Sequence, residues 1–195
     1  MLYGVGLGLD RELMTFKAVK IIEGADEVIV PGKMAHDIIK DIRDLRIVEF
    51  PMGKSEKVAR SLAEELASRN DENIAFCCIG DPVMYSTFHH VAEELLRIKP
   101  DAKLEIAPGV SSISCALAKS KIFVNGSAYI TTQNFDETDV MVILKVKEPK
   151  KVEERLRKLG FSKFVLLENM FMKGEKIYCE MPENSSYFSV MVARK

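Results

Sequence analysis

Residues 73–88 read NIAFCCIGDPVMYSTF, and this stretch decides the fold. Ile74 to Ile79 is an unbroken apolar run with no period-two alternation. A strand of that kind is buried on both faces, as a central strand of a parallel sheet is. Cys77 and Cys78 are neighbours in it, so their side chains are expected on opposite faces. The run ends in Gly80-Asp81-Pro82, and Tyr85, Ser86 and Thr87 then place three hydroxyls before a helical segment, Phe88 to Ile98.

Working outward, the first 120 residues alternate strand and helix signals. LYGVGLG near the start is a short apolar run rich in glycine, and DEVIVP and RIVEF are strands stopped by Pro31 and Pro51. Leu13, Phe16, Val19 and Ile22 recur at helical spacing, and Met34 to Ile42 reads as a helix. Lys54 to Arg69 is amphipathic, with Val58, Leu62 and Leu66 on one stripe and Ser55 placed to cap it. AKLEIAP gives a fifth strand, and a helix follows Pro108-Gly109 as far as Lys119. Strands separated by helices mean βαβ units and a parallel sheet with helices on both faces.

From about Phe123 the pattern changes. SAYIT, DVMVILKV, FVLLE, EKIYCEM and YFSVMVA read as strands, with one clear helix from Pro149 to Leu159. This predicts a second α/β domain on a mixed or antiparallel sheet, with 1–120 and 121–195 as the two domains.

The 195 residues carry 28 Lys and Arg against 29 Asp and Glu, a net charge of −1, which argues against a dedicated nucleic-acid binder. The first 120 residues sum to −4 and the remainder to +3, an asymmetry suited to a polyanionic small molecule meeting the C-terminal part, or simply chance. No apolar run reaches the roughly 18 residues of a membrane span, and the first ten residues lack a basic leader, so a soluble cytoplasmic protein is expected. The four cysteines have no CxxC or zinc spacing and read as reduced thiols, so no metal site is expected.

Ligands bind at the carboxyl ends of strands in open parallel sheets. Three segments stand there: Gly4 to Asp10, Gly80 to Thr87, and Ala107 to Ser112. Each has a simpler alternative, a tight turn or a helix cap. Their coincidence at one sheet edge is what points to a site.

These residues, in order, resemble the tetrapyrrole methylases, the class III S-adenosylmethionine methyltransferases. The shared signals are Gly4–Leu9 with Leu13-Met14-Thr15, then Gly24-Ala25-Asp26-Glu27-Val28, Gly80-Asp81-Pro82 and Pro108-Gly109-Val110-Ser111-Ser112. Gly80 to Phe88 and the ending Tyr187 to Val192 are similar to the subgroup that methylates C(20) of precorrin-2 or cobalt-factor II in cobalamin synthesis. Leu7-Gly8-Leu9 stands where most members have Gly-Pro-Gly and is similar to diphthine synthases of the same fold, and the second domain is shorter than usual.

The resemblance implies a homodimer, with S-adenosylmethionine in a cleft between two α/β domains and a tetrapyrrole as substrate. It implies cofactor contacts at Leu9, Gly80, Asp81, Met84, Ser111 and Ser112, and near Leu144-Lys145 and Asn169-Met170 in the second domain. Tyr85, Ser86, Thr87 and His89 are then expected against the substrate. Tyr85, His89 and Asp81 are the candidate bases, and no catalytic residue is singled out. His89 or His90 as a cobalt ligand, and Lys145 and Lys147 as partners of substrate carboxylates, compete with plain surface roles. A β-carbon on Gly80 is expected to intrude where the cofactor meets the backbone. The alternatives are another methylase of this fold, such as a diphthine synthase, or a non-catalytic binder of the cofactor.

Overall fold

The run that opens the reading forms the middle strand of a five-stranded sheet, and all five of its residues, Ile74 to Cys78, are buried. The computed structural model describes residues 1–51, 53–69, 71–121, 123–128, 130, 138–169 and 173–195. They divide into two units, Met1–Asn125 and Gly126–Lys195.

The first unit runs β1 (Leu2–Gly6), α1 (Phe16–Gly24), β2 (Glu27–Val30), α2 (Lys33–Ile39), β3 (Arg46–Ile47), α3 (Ser55–Ala67), β4 (Ile74–Cys78), α4 (Phe88–Ile98), β5 (Leu104–Ala107) and α5 (Ser112–Ser120). The strands are parallel in the order β3-β2-β4-β1-β5. Alternate residues of β4 feed two cores. Ile74, Phe76 and Cys78 pack with Leu62 and Leu66 of α3 and Val91 and Leu95 of α4. Ala75 and Cys77 pack with Ile22 of α1 and Ile39 of α2 on the other face. Burying each such aliphatic or aromatic side chain contributes about 1.5–3 kcal/mol. Burial pushes the Cys77 thiol up and that of Cys78 to about 11, so both stay protonated. Cys179 is exposed and does not share this burial.

Helices on opposite faces follow the adjacent strands β1 and β4. At their carboxyl ends the chain departs in two directions, which is the topological switch point of the sheet, where open α/β sheets bind ligands.

Several elements differ from the reading in detail. β3 keeps two paired residues of the five expected, as an edge strand with one neighbour. Ser55 does not cap α3: Lys54 holds the cap position without a side-chain bond, and Ser55 Oγ donates to the Pro51 carbonyl at 3.4 Å. Leu13 lies in a 3-10 turn before α1, and Phe16 is 90% exposed, so neither belongs to the buried stripe.

The second unit runs β6 (Val140–Leu144), α6 (Pro149–Arg157), β7 (Lys163–Glu168), β8 (Lys176–Tyr178) and β9 (Ser189–Arg194). Its order is β6-β9-β7-β8, and every described pairing is antiparallel. Of the mixed or antiparallel sheet expected, the described strands form the antiparallel kind. A strand–helix–strand passage through α6 makes β6 and β7 run the same way, but β9 inserts between them and pairs antiparallel with both. The core lies on one face, where Phe164, Leu166, Met191 and Ala193 meet Leu156 and Phe161. Tyr129 and Thr131 of the expected SAYIT strand fall outside the described residues.

Candidate functional site

Three glycines at period two, Gly4, Gly6 and Gly8, clear one face of the first strand and its extension. A β-carbon on Gly4 would stand 2.3 Å from the Phe88 ring, and one on Gly6 would stand 2.5 Å from Gly109 N. The chain continues to Gly8, which bridges Gly80: Gly8 N donates to Gly80 O at 3.2 Å and Gly80 N to Gly8 O at 2.7 Å. The first loop is thereby tied to the second.

The third loop is tied to both. Gly109 N donates to Asp81 Oδ2 at 3.1 Å. A β-carbon on Gly109 would lie 2.2 Å from Gly80 O and 2.8 Å from Gly6 Cα. Asp81 Oδ1 accepts from Val83 N at 2.9 Å, so both carboxylate oxygens order the loops. The sequence offered the glycines as a signal but not their partners: Gly6, Gly8 and Gly109 stood within the segments it singled out and were not among the expected cofactor contacts.

Gly80 has φ +75°, the left-handed region. Around the place of its missing β-carbon, the nearest atom is Ser112 N at 3.9 Å. Backbone conformation favours glycine here, and the space beside it, where a β-carbon is expected to intrude on the cofactor, is open. That space borders the first turn of α5. First-turn amides have no acceptor within their own helix. Ser111 caps the helix, its Oγ accepting from Ser114 N at 3.3 Å, and Ser112 is exposed next to it. Open room bordered by backbone donors fits S-adenosylmethionine, whose carboxylate and ribose hydroxyls accept hydrogen bonds from backbone N–H groups. Leu9, 41% exposed, follows the Gly8 bridge, and half-buried Met84 donates its N–H to Asp81 O at 3.2 Å.

The hydroxyl run divides its labour. Ser86 is the residue that caps: its Oγ accepts from Phe88 N at 3.0 Å and donates to Cys78 Sγ at 3.2 Å. Thr87 makes no cap bond. Phe88 is buried in the core against Gly4. Tyr85 is 68% exposed with φ +51°, a strained setting for an aromatic residue. His89 Nδ1 lies 2.6 Å from Ser86 O, and the His89 and His90 rings stack at 3.8 Å. Among the described residues, no three His, Cys, Asp or Glu gather where they could hold a metal ion.

In the second unit, Lys145 and Asn169 follow β6 and β7, the strands on either side of β9, and flank its start. Lys145 N donates to Ser189 O at 2.8 Å and Asn169 N to Phe188 O at 2.9 Å. Both adopt left-handed backbone, with φ +55° and +52°. Lys145 Nζ stands 5.2 Å over the exposed Tyr187 ring, a cation–π contact. Met170 lies outside the described residues.

Comparison with known proteins shows the family. The family model of tetrapyrrole (corrin/porphyrin) methylases matches residues 1–183. A probable cobalt-precorrin-2 C(20)-methyltransferase of Methanocaldococcus jannaschii is 34% identical over 167 residues, covering 74% of this chain and 72% of the relative. A probable cobalt-precorrin-7 C(5)-methyltransferase of the same organism is 30% identical over 199 residues, covering 100% and 89%. The crystal structure of uroporphyrin-III C-methyltransferase from Thermus thermophilus complexed with S-adenosylhomocysteine shares the fold, with a TM-score of 0.51 at 19% identity over 100% of this chain and 97% of that one. The glycine-lined ends of β1 and β4 thus belong to an S-adenosylmethionine-dependent methyltransferase, and the chain is a member of the tetrapyrrole methylases.

Proposed function

We propose that this chain methylates C(20) of a reduced tetrapyrrole, precorrin-2 or cobalt-factor II, in cobalamin biosynthesis. The observation that carries the reading is the 34% identity with the C(20) relative from Methanocaldococcus jannaschii. The run Gly-Asp-Pro-Val-Met-Tyr-Ser-Thr-Phe from Gly80 to Phe88 supports it.

When bound, S-adenosylmethionine supplies an electrophilic methyl group on a positively charged sulfur. The protein's part is positioning: the accepting carbon has to stand about 3–3.5 Å from that methyl group, in line with the bond that breaks. In this reading Leu9, Gly80, Asp81, Met84, Ser111 and Ser112 hold the cofactor from the first unit, and Lys145 and Asn169 hold it from the second. Asp81 acts by ordering the loops, since both of its oxygens are engaged. Tyr85, Thr87 and His89 meet the tetrapyrrole with their side chains, and Ser86 meets it through its backbone because its hydroxyl is committed. A cytoplasmic homodimer completes the proposal.

The test is an incubation with S-adenosylmethionine and each tetrapyrrole, with and without cobalt, and location of the new methyl group by NMR. The expected product carries one methyl at C(20). A second reading, methylation at C(5), is favoured by the relative that spans 100% of this chain. Product methylated at C(5) alone would replace the first reading with the second.

A further inference from the structure

We infer that His89 accepts the proton released at the methylated ring carbon, and that the Ser86 carbonyl holds its imidazole in the tautomer this task needs. The inference rests on the tetrapyrrole reading above. A ring carbon that carries hydrogen and gains a methyl group has to lose a proton to regain conjugation. The new carbon–carbon bond forms from the ring's π pair, and the pair of the breaking methyl–sulfur bond stays on sulfur. The carbon–hydrogen pair returns to the ring, and the proton passes to Nε2 of His89.

The other groups of the loop are committed elsewhere. Asp81 receives backbone donors on both oxygens, from Val83 N and Gly109 N. The Ser86 hydroxyl serves Phe88 N and Cys78 Sγ. The Cys78 thiol is held protonated by burial. Tyr85, as a neutral phenol, is a better donor than proton acceptor.

His89 is differently placed. Its Nδ1 lies 2.6 Å from Ser86 O, and a carbonyl only accepts, so Nδ1 carries the hydrogen. In the neutral ring that leaves the lone pair on Nε2. The carbonyl is itself fixed, because Ser86 is buried and bonded through its hydroxyl at 3.0 and 3.2 Å. The His90 ring, 3.8 Å away and tilted 39°, restricts rotation of the imidazole. His89 stands exposed on the first turn of α4, directly after the loop assigned to the substrate. Once protonated, the ring donates from both nitrogens, and its bond to Ser86 O becomes the stronger charge-assisted kind. The same carbonyl therefore sets the neutral tautomer and stabilises the cation that follows.

The test uses the full chain and His89→Asn, whose amide keeps a donor near the Nδ1 position and removes the Nε2 acceptor. Nitrogen-15 NMR of the wild type without ligands is expected to show His89 as the Nδ1–H tautomer. Calorimetry with S-adenosylhomocysteine and thermal melting are expected to be unchanged in the variant. Single-turnover methylation is expected to slow on the order of 100-fold, the scale of a lost general base. Substrate deuterated at the accepting carbon should then show a primary isotope effect in the variant and none in the wild type, and added imidazole should restore part of the rate.

Wild-type rate in the variant, an Nε2–H tautomer, or a rate loss matched by lost cofactor affinity or melting temperature would each overturn the assignment. A wild type that methylates neither tetrapyrrole overturns the substrate reading and this inference with it. A wild type that methylates normally beside an equally active variant overturns this inference alone.

Discussion

At the residue scale, the site is built from missing β-carbons and from hydroxyls already spoken for. Gly109→Ala would place a carbon 2.2 Å from the Gly80 carbonyl, and both neighbours there are backbone. Overpacking of this kind costs about 1–3 kcal/mol. We expect the variant to melt lower and to bind S-adenosylhomocysteine more weakly, because loops two and three are forced apart. Gly126→Ala meets nothing within 4 Å and is expected to match the wild type in both assays. Ser86→Ala leaves Phe88 N without its 3.0 Å acceptor in a buried setting. Loss of such a cap costs about 1–2 kcal/mol. Chemical denaturation is expected to show that loss, with the effect on turnover arising through the displaced Ser86 carbonyl.

At the scale of elements, α4 was legible at both ends, Phe88 and Ile98, because its apolar stripe begins and stops sharply. β4 was legible as the central strand because nothing polar interrupts Ile74 to Cys78. The bridge between Gly8 and Gly80 was not legible, since it joins residues far apart in the chain and composition carries no trace of it. The insertion of β9 between β6 and β7 was hidden for the same reason: periodicity gives each strand's faces and leaves the order of strands open. Ion pairs on the outer side of β2, β3 and α3 were equally hidden. There Arg46 donates to Glu65 at 2.8 Å, and Arg69 bonds Glu72 and Glu27. The Arg46 guanidinium holds the Glu65 carboxyl below its usual range, and Arg69 does the same for Glu72. A carboxyl lowered in the folded state contributes stability above its unfolded pKa, near 4.3. That contribution is lost as pH falls from there through the lowered values. We expect the melting temperature to drop on acidification through this window, and Arg46→Met to flatten the drop. Melts at successive pH values from neutral to acid check this.

At the scale of the molecule, the described residues form three apolar clusters, two in Met1–Asn125 and one in Gly126–Lys195. Leu166 is fully buried in the last of these. Leu166→Ala is expected to cost about 2–5 kcal/mol, and to do so within one unit. Differential scanning calorimetry is then expected to show a low-temperature transition separated from that of the parallel sheet. A single shifted transition would mean that the two units unfold together.

The placement of β1 has a consequence in time. Leu2–Gly6 is hydrogen-bonded on one side to Ile74–Cys78 and on the other to Leu104–Ala107, and to no strand nearer in the chain. At synthesis rates of about 5–20 residues per second, its first partner emerges several seconds after it does. Through that interval Leu2, Val5 and Leu7, all later buried, have no sheet to join. The strand that leads to the site is thus made early and docked late, and the pace of translation through the stretch up to β4 sets how long its apolar face waits.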